Sequence, residues 1–450
     1  MEGLDAATIR RLQSLVTSTQ LKRRLPSLVM VVQERGQQVG AFTAGLADLD
    51  SGLAAGSDVQ YRIGSITKTL TAVAVMQLVE AGRLDLNDTL GQHWPKAPHP
   101  DLQVSALLSH TSGLQREPVG EVWETLVLPT RDELPQSAAD ARRLYPAGSW
   151  WHYSNLAYAL LGEMVAQISG LSWEEYIHRR LLRPLGMNRT TLRPTSPRAT
   201  GYAVSPYSDE VAEEPAVDSQ GIAPAAQIWS TAADLGTWSN FLNCGHAEVL
   251  RSEVLQAMRA PRVLADLDGW RLAWGLGLML MRSGDRVYHG HTGSMPGFLA
   301  ACFSSPGHDS GVAVVTNSTA SLRIGALAAE ALNILTERDA GRTWMPGPPV
   351  PDTVRPLLGR WWSEWNEWVF SWREGALVSI PADAPEGADW ERYQEVGPDL
   401  YLCASGPERG EELRIVRGED GGVEKMYRAT YPMTREPKPF GAAAADPQRS

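Results

Sequence analysis

The sequence predicts an α/β fold in which an antiparallel sheet is flanked by terminal and central helices, with an inserted, mostly helical subdomain and a small C-terminal antiparallel β domain or barrel. Three observations lead to this prediction. Short alternating or apolar runs, typical of strands, occur near the N-terminus and again after Trp274, and helical periodicity fills most of the chain between them. A proline-rich stretch, PGPPVPDTVRP, follows. Beyond it the composition changes, because seven of the 16 tryptophans fall between Trp344 and Trp390.

The N-terminal part of the chain is predicted to contain a helix, a strand hairpin and a second helix. Residues Asp5 to Leu21 have helical periodicity. Ser27 to Val32 and Gln38 to Ala47 alternate as two strands and predict a hairpin at the edge of a sheet. The stretch Tyr61 to Gly82, YRIGSITKTLTAVAVMQLVEAG, predicts a helix that begins near Ser65 and stops at Gly82. Apolar residues surround most of this helix, so we expect it to be buried.

The middle of the chain is predicted to be mostly helical. From Glu117 to Ala147 proline, glycine and charged residues alternate with short helical runs, which is typical of a subdomain that covers a sheet. A segment rich in Pro, Ser, Thr and Glu, from Thr190 to about Asp218, predicts loops. The other helical segments are Leu84–Pro95, Asp101–His110, the run after Asn155 that ends at Gly170, Ser172–Leu182, and Gln227–Asn243 with Ser230 or Thr231 as its cap.

The chain then returns to strands. WGLGLMLM, VYHGHTGS, FLAACFSS and GVAVVTN predict consecutive antiparallel strands with glycine at their joints, and a helix from Leu322 to Glu337 closes the region. We therefore expect one domain at residues 1–345, a proline-rich linker at 346–356, a C-terminal β domain at 357–435 and a disordered tail at 436–450.

Composition restricts the classes of function. A chain of 450 residues with 43% hydrophobic residues can bury a large core as a soluble protein. The net charge of −11 argues against nucleic acid or an anionic membrane surface as the main partner. No run approaches the roughly 18 apolar residues that a membrane-spanning helix needs. The N-terminal sequence MEGLDAATIRRLQSLV lacks the features of a signal peptide, so we expect a cytoplasmic protein.

The cysteines indicate no disulfide framework and no metal site. Cys244, Cys302 and Cys403 are odd in number and far apart, which favours isolated, buried, reduced thiols. No metal-ligand spacing and no cofactor motif occurs, so we expect neither a metal nor an organic cofactor. The oligomeric state is left open.

The first candidate for chemistry is the pair Ser65 and Lys68. Their spacing places a hydroxyl and an amine on one face of the first helical turn. Taken alone, the serine fits a helix cap and the lysine a solvated charge. However, only five of the 41 basic residues are lysines. Arginine cannot lose its proton, whereas a desolvated lysine can act as a base. A rare lysine in this position therefore favours a nucleophilic serine activated by its neighbour.

Two further groups of polar residues accompany this pair. Tyr153 and Asn155 are predicted just before a helix, in a turn that orients both side chains. The alternative for Tyr153 is an aromatic side chain that only packs at the start of the helix, and the alternative for Asn155 is a helix cap. His291-Thr292-Gly293 lies on a predicted strand, where glycine allows close approach to the backbone. His289 is offset from this triplet and is interpreted as structural.

With these three motifs in this order, the chain resembles the serine β-lactamase and penicillin-binding-protein-like superfamily, in particular class C β-lactamases and the related esterases and D-amino-acid peptidases. The resemblance covers about residues 10 to 340. It includes Ser65-Ile66-Thr67-Lys68, Tyr153-Ser154-Asn155 and His291-Thr292-Gly293, together with SHTSGL, RPLGM and the Pro296-Gly297-Phe298 that follows the strand. The C-terminal region resembles the lipocalin-like barrels that are appended to some of these hydrolases.

The resemblance implies a role for each residue. Ser65 is the nucleophile and Lys68 the base. Tyr153 shares the proton transfers, and we expect a neighbouring cation to lower its pKa for this purpose. The backbone N–H groups of Ser65 and of Ser294 form the oxyanion hole. Asn155 and the triplet His291, Thr292 and Gly293 bind the substrate.

Three departures from relatives bear on the substrate. Where many relatives have lysine this chain has His291, which is mostly neutral at pH 7 and holds a carboxylate less firmly. The segment Pro224–Thr231 replaces a frequent glycine pair, and Ser294 replaces a frequent glycine.

The pair Trp150-Trp151 is expected to pack in the core. The alternative is that the two rings line a pocket for the acyl group.

These residues predict a serine hydrolase that cleaves an ester or a small amide or peptide bond through an acyl-enzyme on Ser65. A D-amino-acid peptidase or weak β-lactamase is the alternative within the same chemistry. A catalytically silent binding protein with the same fold is the alternative from another class.

Overall fold

A computed structural model describes residues 3–319, 322–340, 346–363, 365–385, 388 and 390–437. It divides into two compact units, residues 1–342 and 343–450. Most of the predicted tail, residues 438–450, lies outside the described residues.

The first unit contains twelve helices in its described residues. Two short 3-10 turns and one π turn adjoin them, of which the 3-10 turn Gly64–Ile66 is used below. The helices are α1 (Ala6–Arg23), α2 (Thr67–Glu80), α3 (Leu90–His93), α4 (Val104–Leu108), α5 (Val122–Thr125), α6 (Leu134–Ala139), α7 (Asn155–Ser169), α8 (Trp173–Ile177), α9 (Ala223–Ala226), α10 (Ala232–Cys244), α11 (Ser252–Arg259) and α12 (Ile324–Ala340).

The strands of this unit form one large sheet and two small ones. The large sheet has nine strands in the order β3-β2-β1-β13-β12-β11-β10-β9-β8, and all neighbours are antiparallel. The strands are β1 (Ser27–Glu34), β2 (Gln37–Asp48), β3 (Leu53–Ala54), β4 (Gln60–Arg62), β5 (Tyr202–Val204), β6 (Val211–Glu213), β7 (Trp229–Thr231), β8 (Val263–Leu264), β9 (Leu272–Trp274), β10 (Met279–Ser283), β11 (Arg286–Met295), β12 (Phe298–Ser305) and β13 (Ser310–Thr316).

Strands from both ends of the unit meet in the centre of this sheet. The N-terminal strand β1 pairs with β13, for example at Val31 and Ala313. In the sequence, the helical block is therefore inserted between two groups of strands that belong to the same sheet. Helices α1 and α12 enclose one hydrophobic core against the sheet, and α2, α7 and α10 contribute to a larger core on the other face. The predicted α/β arrangement with an inserted helical block is confirmed.

Local signals were correct for most elements. Of the two residues predicted as the cap of α10, it is Thr231 whose side chain caps the helix. Gly82 follows α2 with φ of 66°, a left-handed conformation that suits glycine. The segment expected to be loop also contains the short hairpin β5–β6, whose few residues gave no strand signal of their own.

The second unit is an up-and-down antiparallel sheet that nearly closes into a barrel. Its eight strands pair in chain order, and two backbone hydrogen bonds between Trp362 and Thr434, of 2.8 and 2.9 Å, join the first strand to the residue after the last. Its buried interior includes Trp361, Phe370 and Leu413. The strands are β14 (Gly359–Ser363), β15 (Asn366–Arg373), β16 (Ala376–Pro381), β17 (Glu391–Gly397), β18 (Leu400–Cys403), β19 (Glu412–Arg417), β20 (Val423–Arg428) and β21 (Tyr431–Met433).

Two other properties of the chain can be read from the described residues. None of the helices among them is long and apolar enough to cross a membrane, and no group of three or more His, Cys, Asp or Glu side chains there could hold a metal ion. All three cysteines are free, but Cys244 is exposed, so the prediction that each is buried is wrong for this one. It lies at the end of α10, where the helix leaves the core.

Candidate active site

The site is built on the buried helix α2 and the 3-10 turn that precedes it. Ser65 lies in this turn and is partly exposed, whereas Lys68, one turn further on, is fully buried. The amine Nζ of Lys68 lies 3.0 Å from Ser65 Oγ. The predicted shared face of Ser65 and Lys68 therefore exists, and Lys68 is not a solvated charge.

Two carbonyl oxygens hold the other side of the Lys68 amine. Nζ donates to Asn155 Oδ1 at 2.6 Å and to the backbone oxygen of Ala225 at 2.9 Å. Burial lowers the pKa of Lys68 well below its ordinary value and outweighs the Glu117 carboxylate, which acts to raise it. The neutral amine is thus favoured more than in an exposed lysine.

Helix α7 brings Asn155 to this position. Ser154, not Asn155, caps the helix, because its side chain accepts the N–H of Ala157, and Asn155 is the first helical residue. The prediction that Asn155 precedes the helix is therefore wrong by one residue, and so is its alternative role as the cap. The Asn155 amide donates through Nδ2 to Glu117 Oε1 at 2.6 Å. A carboxylate only accepts, which fixes the amide with its oxygen toward Lys68.

Tyr153 lies over the same amine. Lys68 Nζ is 4.7 Å from the centre of its ring, and the Arg116 guanidinium is 4.8 Å away. Burial nevertheless raises the pKa of the Tyr153 hydroxyl; a hydrogen bond with Ser65 and the Arg116 charge oppose this without reversing it. The expectation that a cation lowers the pKa of Tyr153 is therefore wrong, since desolvation is the larger effect.

Strand β11 passes close to the Ser65 turn. A Cβ atom on Gly293 would lie 1.9 Å from the oxygen of Ile63 and 3.2 Å from the nitrogen of Ser65. A Cβ on Gly64 would lie 2.7 Å from the nitrogen of Ser294. Only glycine permits this approach at both positions, and the backbone nitrogens of Ser65 and Ser294 come to the same part of the site.

The two other residues of the triplet are placed differently. His291 is buried, with only 2% of its surface exposed. Its Nδ1 is hydrogen-bonded to the oxygen of Thr292. Because a carbonyl only accepts, Nδ1 carries the hydrogen and Nε2 of the neutral ring is unprotonated. The methyl group of Thr292 faces Gly325 of α12, where a Cβ would lie 3.1 Å from it. Contact of either side chain with a substrate stays a prediction.

A cluster of rings surrounds Tyr153. The ring centres of His110, Trp274 and His291 lie 4.3, 5.8 and 6.1 Å from that of Tyr153, and Trp151 lies at 6.3 Å. Four ring nitrogens of this cluster are buried and have no hydrogen-bond partner within the described part of the chain: His110 Nε2, His291 Nε2, Trp151 Nε1 and Trp274 Nε1. The cluster buries Tyr153 among rings, several of whose nitrogens have no hydrogen-bond partner.

The remaining predictions near the site have mixed outcomes. Trp150 is 54% exposed, so its expected packing in the core is wrong, whereas Trp151 packs on Trp274 with ring centres 5.3 Å apart. His289 donates through Nε2 to the oxygen of Leu242 on α10, which agrees with a structural role.

The site also contains residues that the sequence did not indicate. Glu117 was assigned only to a helical covering segment, and Arg116, His110 and Trp274 carried no assigned role. Glu117 is 38 positions from its partner Asn155. No local pattern links residues at such a separation, so only the resemblance of the preceding SHTSGL motif marked this neighbourhood.

The burial of His291 leads to a prediction on its titration. Burial, with a smaller effect of the Lys68 charge, lowers the pKa of His291 to about 3. We expect the ¹⁵N shifts of its ring to remain those of a neutral Nδ1–H imidazole from about pH 8 to pH 4. The urea-unfolded protein is the reference, because an unperturbed histidine there has a pKa of about 6.5. Protonation of His291 above about pH 5 in the folded protein would contradict this placement.

Comparisons with known proteins agree with this fold and arrangement. Residues 6–336 match the family described as Beta-lactamase, and residues 350–435 match a family described as a domain of unknown function. The protein flp of Staphylococcus aureus (strain COL) is 23% identical over 325 residues, which are 68% of this chain and 63% of that protein. The chain thus spans less than two thirds of the length of this curated relative.

Two solved structures share the fold. The octameric penicillin-binding protein homologue from Pyrococcus abyssi aligns with a TM-score of 0.66 and 21% identity, over 94% of this chain and 99% of that one. The D-amino acid amidase from Ochrobactrum anthropi SV3, complexed with L-phenylalanine amide, aligns with a TM-score of 0.62 and 23% identity, over 74% of this chain and 99% of that one. With a family match over most of its length, this chain belongs to the beta-lactamase family.

Proposed function

We propose that the protein is a serine hydrolase that cleaves an ester or a small amide or peptide bond through an acyl-enzyme on Ser65. The observation that carries this proposal is the fully buried Lys68 amine, 3.0 Å from the Ser65 hydroxyl. Serine is a weak nucleophile and needs a base at this distance.

The hydrogen bonds of Lys68 suit a base. A neutral amine has two N–H groups and one lone pair. Asn155 Oδ1 and the Ala225 oxygen can only accept, so they take the two N–H groups. The lone pair is then left for the third neighbour, the Ser65 O–H. In the first step the Ser65 proton passes to Nζ as Oγ bonds to the substrate carbonyl carbon.

Tyr153 is suited to return this proton. Its raised pKa keeps it a neutral phenol at working pH, and its hydroxyl interacts with Ser65. When the carbonyl bond to the leaving group breaks, the phenol donates its proton to that group and regains one from the protonated Lys68. The same path in reverse activates water, which releases the acid and restores Ser65.

The oxyanion of each tetrahedral intermediate is assigned to the backbone N–H groups of Ser65 and Ser294. The close packing at Gly64 and Gly293 supports this assignment, since it holds the two backbones against each other. Fixed donors at such a position stabilise the transition state without reorganisation.

The nucleophile is tested by replacement of Ser65. We expect Ser65→Ala to abolish hydrolysis of p-nitrophenyl butyrate and labelling by a fluorophosphonate, because the attacking oxygen is lost, while the far-ultraviolet circular dichroism spectrum stays unchanged. Peptide mapping of the labelled wild-type protein should locate the adduct on Ser65. A labelled wild-type protein with its adduct elsewhere would refute the assignment, and no adduct at all would favour the catalytically silent binding protein.

The base is tested by Lys68→Arg. Arginine keeps a positive charge but cannot give up its proton, so we expect kcat/KM for the ester to fall by about 10²- to 10⁴-fold. Lys96→Arg, at an exposed position, is the matched control and should behave as wild-type. Retention of most of the activity in Lys68→Arg would mean that another group takes the Ser65 proton.

The charges around the site support a proposal for the substrate class. His291 is buried and neutral, so a substrate carboxylate finds no ammonium where many relatives supply lysine. We therefore favour esters and amides without such a carboxylate over β-lactams. A D-amino-acid amide is the second candidate, because the fold is shared with a D-amino acid amidase.

A substrate panel separates these candidates. Initial rates are measured on p-nitrophenyl butyrate, D-phenylalanine amide and a chromogenic cephalosporin. We expect the ester or the amide to be turned over at least about tenfold faster in kcat/KM than the cephalosporin, a difference of about 1.4 kcal/mol in transition-state binding. The opposite order would make the protein a β-lactamase in activity.

Other features of the protein stay predictions. Its free cysteines are compatible with the expected cytoplasmic location. Subcellular fractionation tests this location. The domain boundaries and the lipocalin-like character of the C-terminal unit also stay predictions.

A further inference from the structure

Glu117 is the residue behind Asn155. Its Oε1 accepts the Asn155 amide at 2.6 Å, and Asn155 Oδ1 in turn accepts the Lys68 amine at 2.6 Å. A continuous chain of hydrogen bonds thus runs from Glu117 through Asn155 and Lys68 to Ser65. We propose that Glu117 is a positioning residue of the hydrolase, one that orients Asn155 and acts through its charge on Lys68 without touching the substrate.

The orientation of Asn155 depends on this carboxylate. An amide can turn by 180° and exchange its oxygen and nitrogen at little cost if nothing distinguishes them. The nitrogen would then face Lys68 and offer a donor to a donor. The Glu117 carboxylate prevents this because it accepts only the nitrogen, so the oxygen remains with Lys68.

Glu117 is also the anion that acts on Lys68. Burial lowers the pKa of Lys68, the Glu117 carboxylate acts to raise it, and the Arg116 charge adds to the lowering. The other titratable side chains that face Lys68 are neutral near pH 7, since burial lowers the pKa of the histidines and raises that of the tyrosines: His110, His291, Tyr153 and Tyr158.

The negative charge of the Glu117 carboxylate is only partly compensated by its neighbours. Arg116 Nε lies 3.6 Å from Oε1 but its side chain is 61% exposed, so the pair is largely screened by solvent. Oε2 of Glu117 is buried, and among the described residues it has no hydrogen-bond partner. The carboxylate charge, little offset by hydrogen bonds at Oε2, acts on the Lys68 amine.

Two replacements separate orientation from charge. Glu117→Gln keeps an oxygen that can accept the Asn155 amide but removes the charge. Glu117→Ala removes both. Glu121→Gln, four residues along the same segment and exposed, is the matched control for loss of one negative charge. Each variant is assayed for p-nitrophenyl butyrate hydrolysis and for the rate of fluorophosphonate labelling from pH 5 to pH 10.

We expect the two variants to differ. In Glu117→Gln the acid limb of kcat/KM and of the labelling rate should move to lower pH by about half a unit or more, because loss of the anion favours the neutral amine, while the plateau stays within about threefold of wild-type. In Glu117→Ala the plateau should fall by about tenfold to a hundredfold, as is typical when a group that orients a site residue is lost.

Other outcomes overturn the inference. If both variants keep the wild-type pH profile and plateau, Glu117 has no part in the site. If both lose activity in proportion to a lowered unfolding temperature, with an unchanged acid limb, its role is merely structural. The inference rests on the proposed function, but the two fail separately: an unlabelled wild-type Ser65 ends the hydrolase proposal, whereas a labelled Ser65 with insensitive Glu117 variants ends only this one.

Discussion

The structure of the site depends on one buried amine. Lys68 has no exposed surface, and an ammonium in such a place lacks the hydration that stabilises it in water. Three oxygen atoms from three separate elements surround Nζ: Ser65 Oγ, Asn155 Oδ1 and the Ala225 oxygen. The helices α2 and α7 and the short helix α9 must therefore pack together for the amine to be satisfied. Folding and the proposed chemistry have the same requirement.

The large sheet supplies the second constraint. Strand β11 approaches the Ser65 turn so closely that no side chain fits at Gly293. In the pairing of β11 with β12, Gly293 lies opposite Ala300. Of the two proposed oxyanion donors, the N–H of Ser294 is thus held by a strand of the sheet and the N–H of Ser65 by the 3-10 turn.

The sequence was sufficient for the parts of the molecule that depend on local pattern or motif. Periodicity predicted α2 and the strands of the sheet, and the Ser65–Lys68 spacing predicted their contact. It was insufficient where the outcome depends on distant groups. The raised pKa of Tyr153 follows from rings that are contributed by four separate segments, and the contact of Glu117 with Asn155 spans 38 positions. Burial of His291 and exposure of Trp150 and Cys244 are likewise properties of the packed structure.

The central claim is that Lys68 is a neutral base at working pH, and its titration tests this most directly. The chain has only five lysines, so ¹³Cε-labelled lysine gives few signals, and Lys68→Arg assigns one of them. We expect this signal to titrate well below the ordinary lysine pKa of about 10.4, while exposed lysines titrate near that value. If the Lys68 signal titrates together with the exposed lysines, Lys68 is a protonated ammonium and not a neutral base.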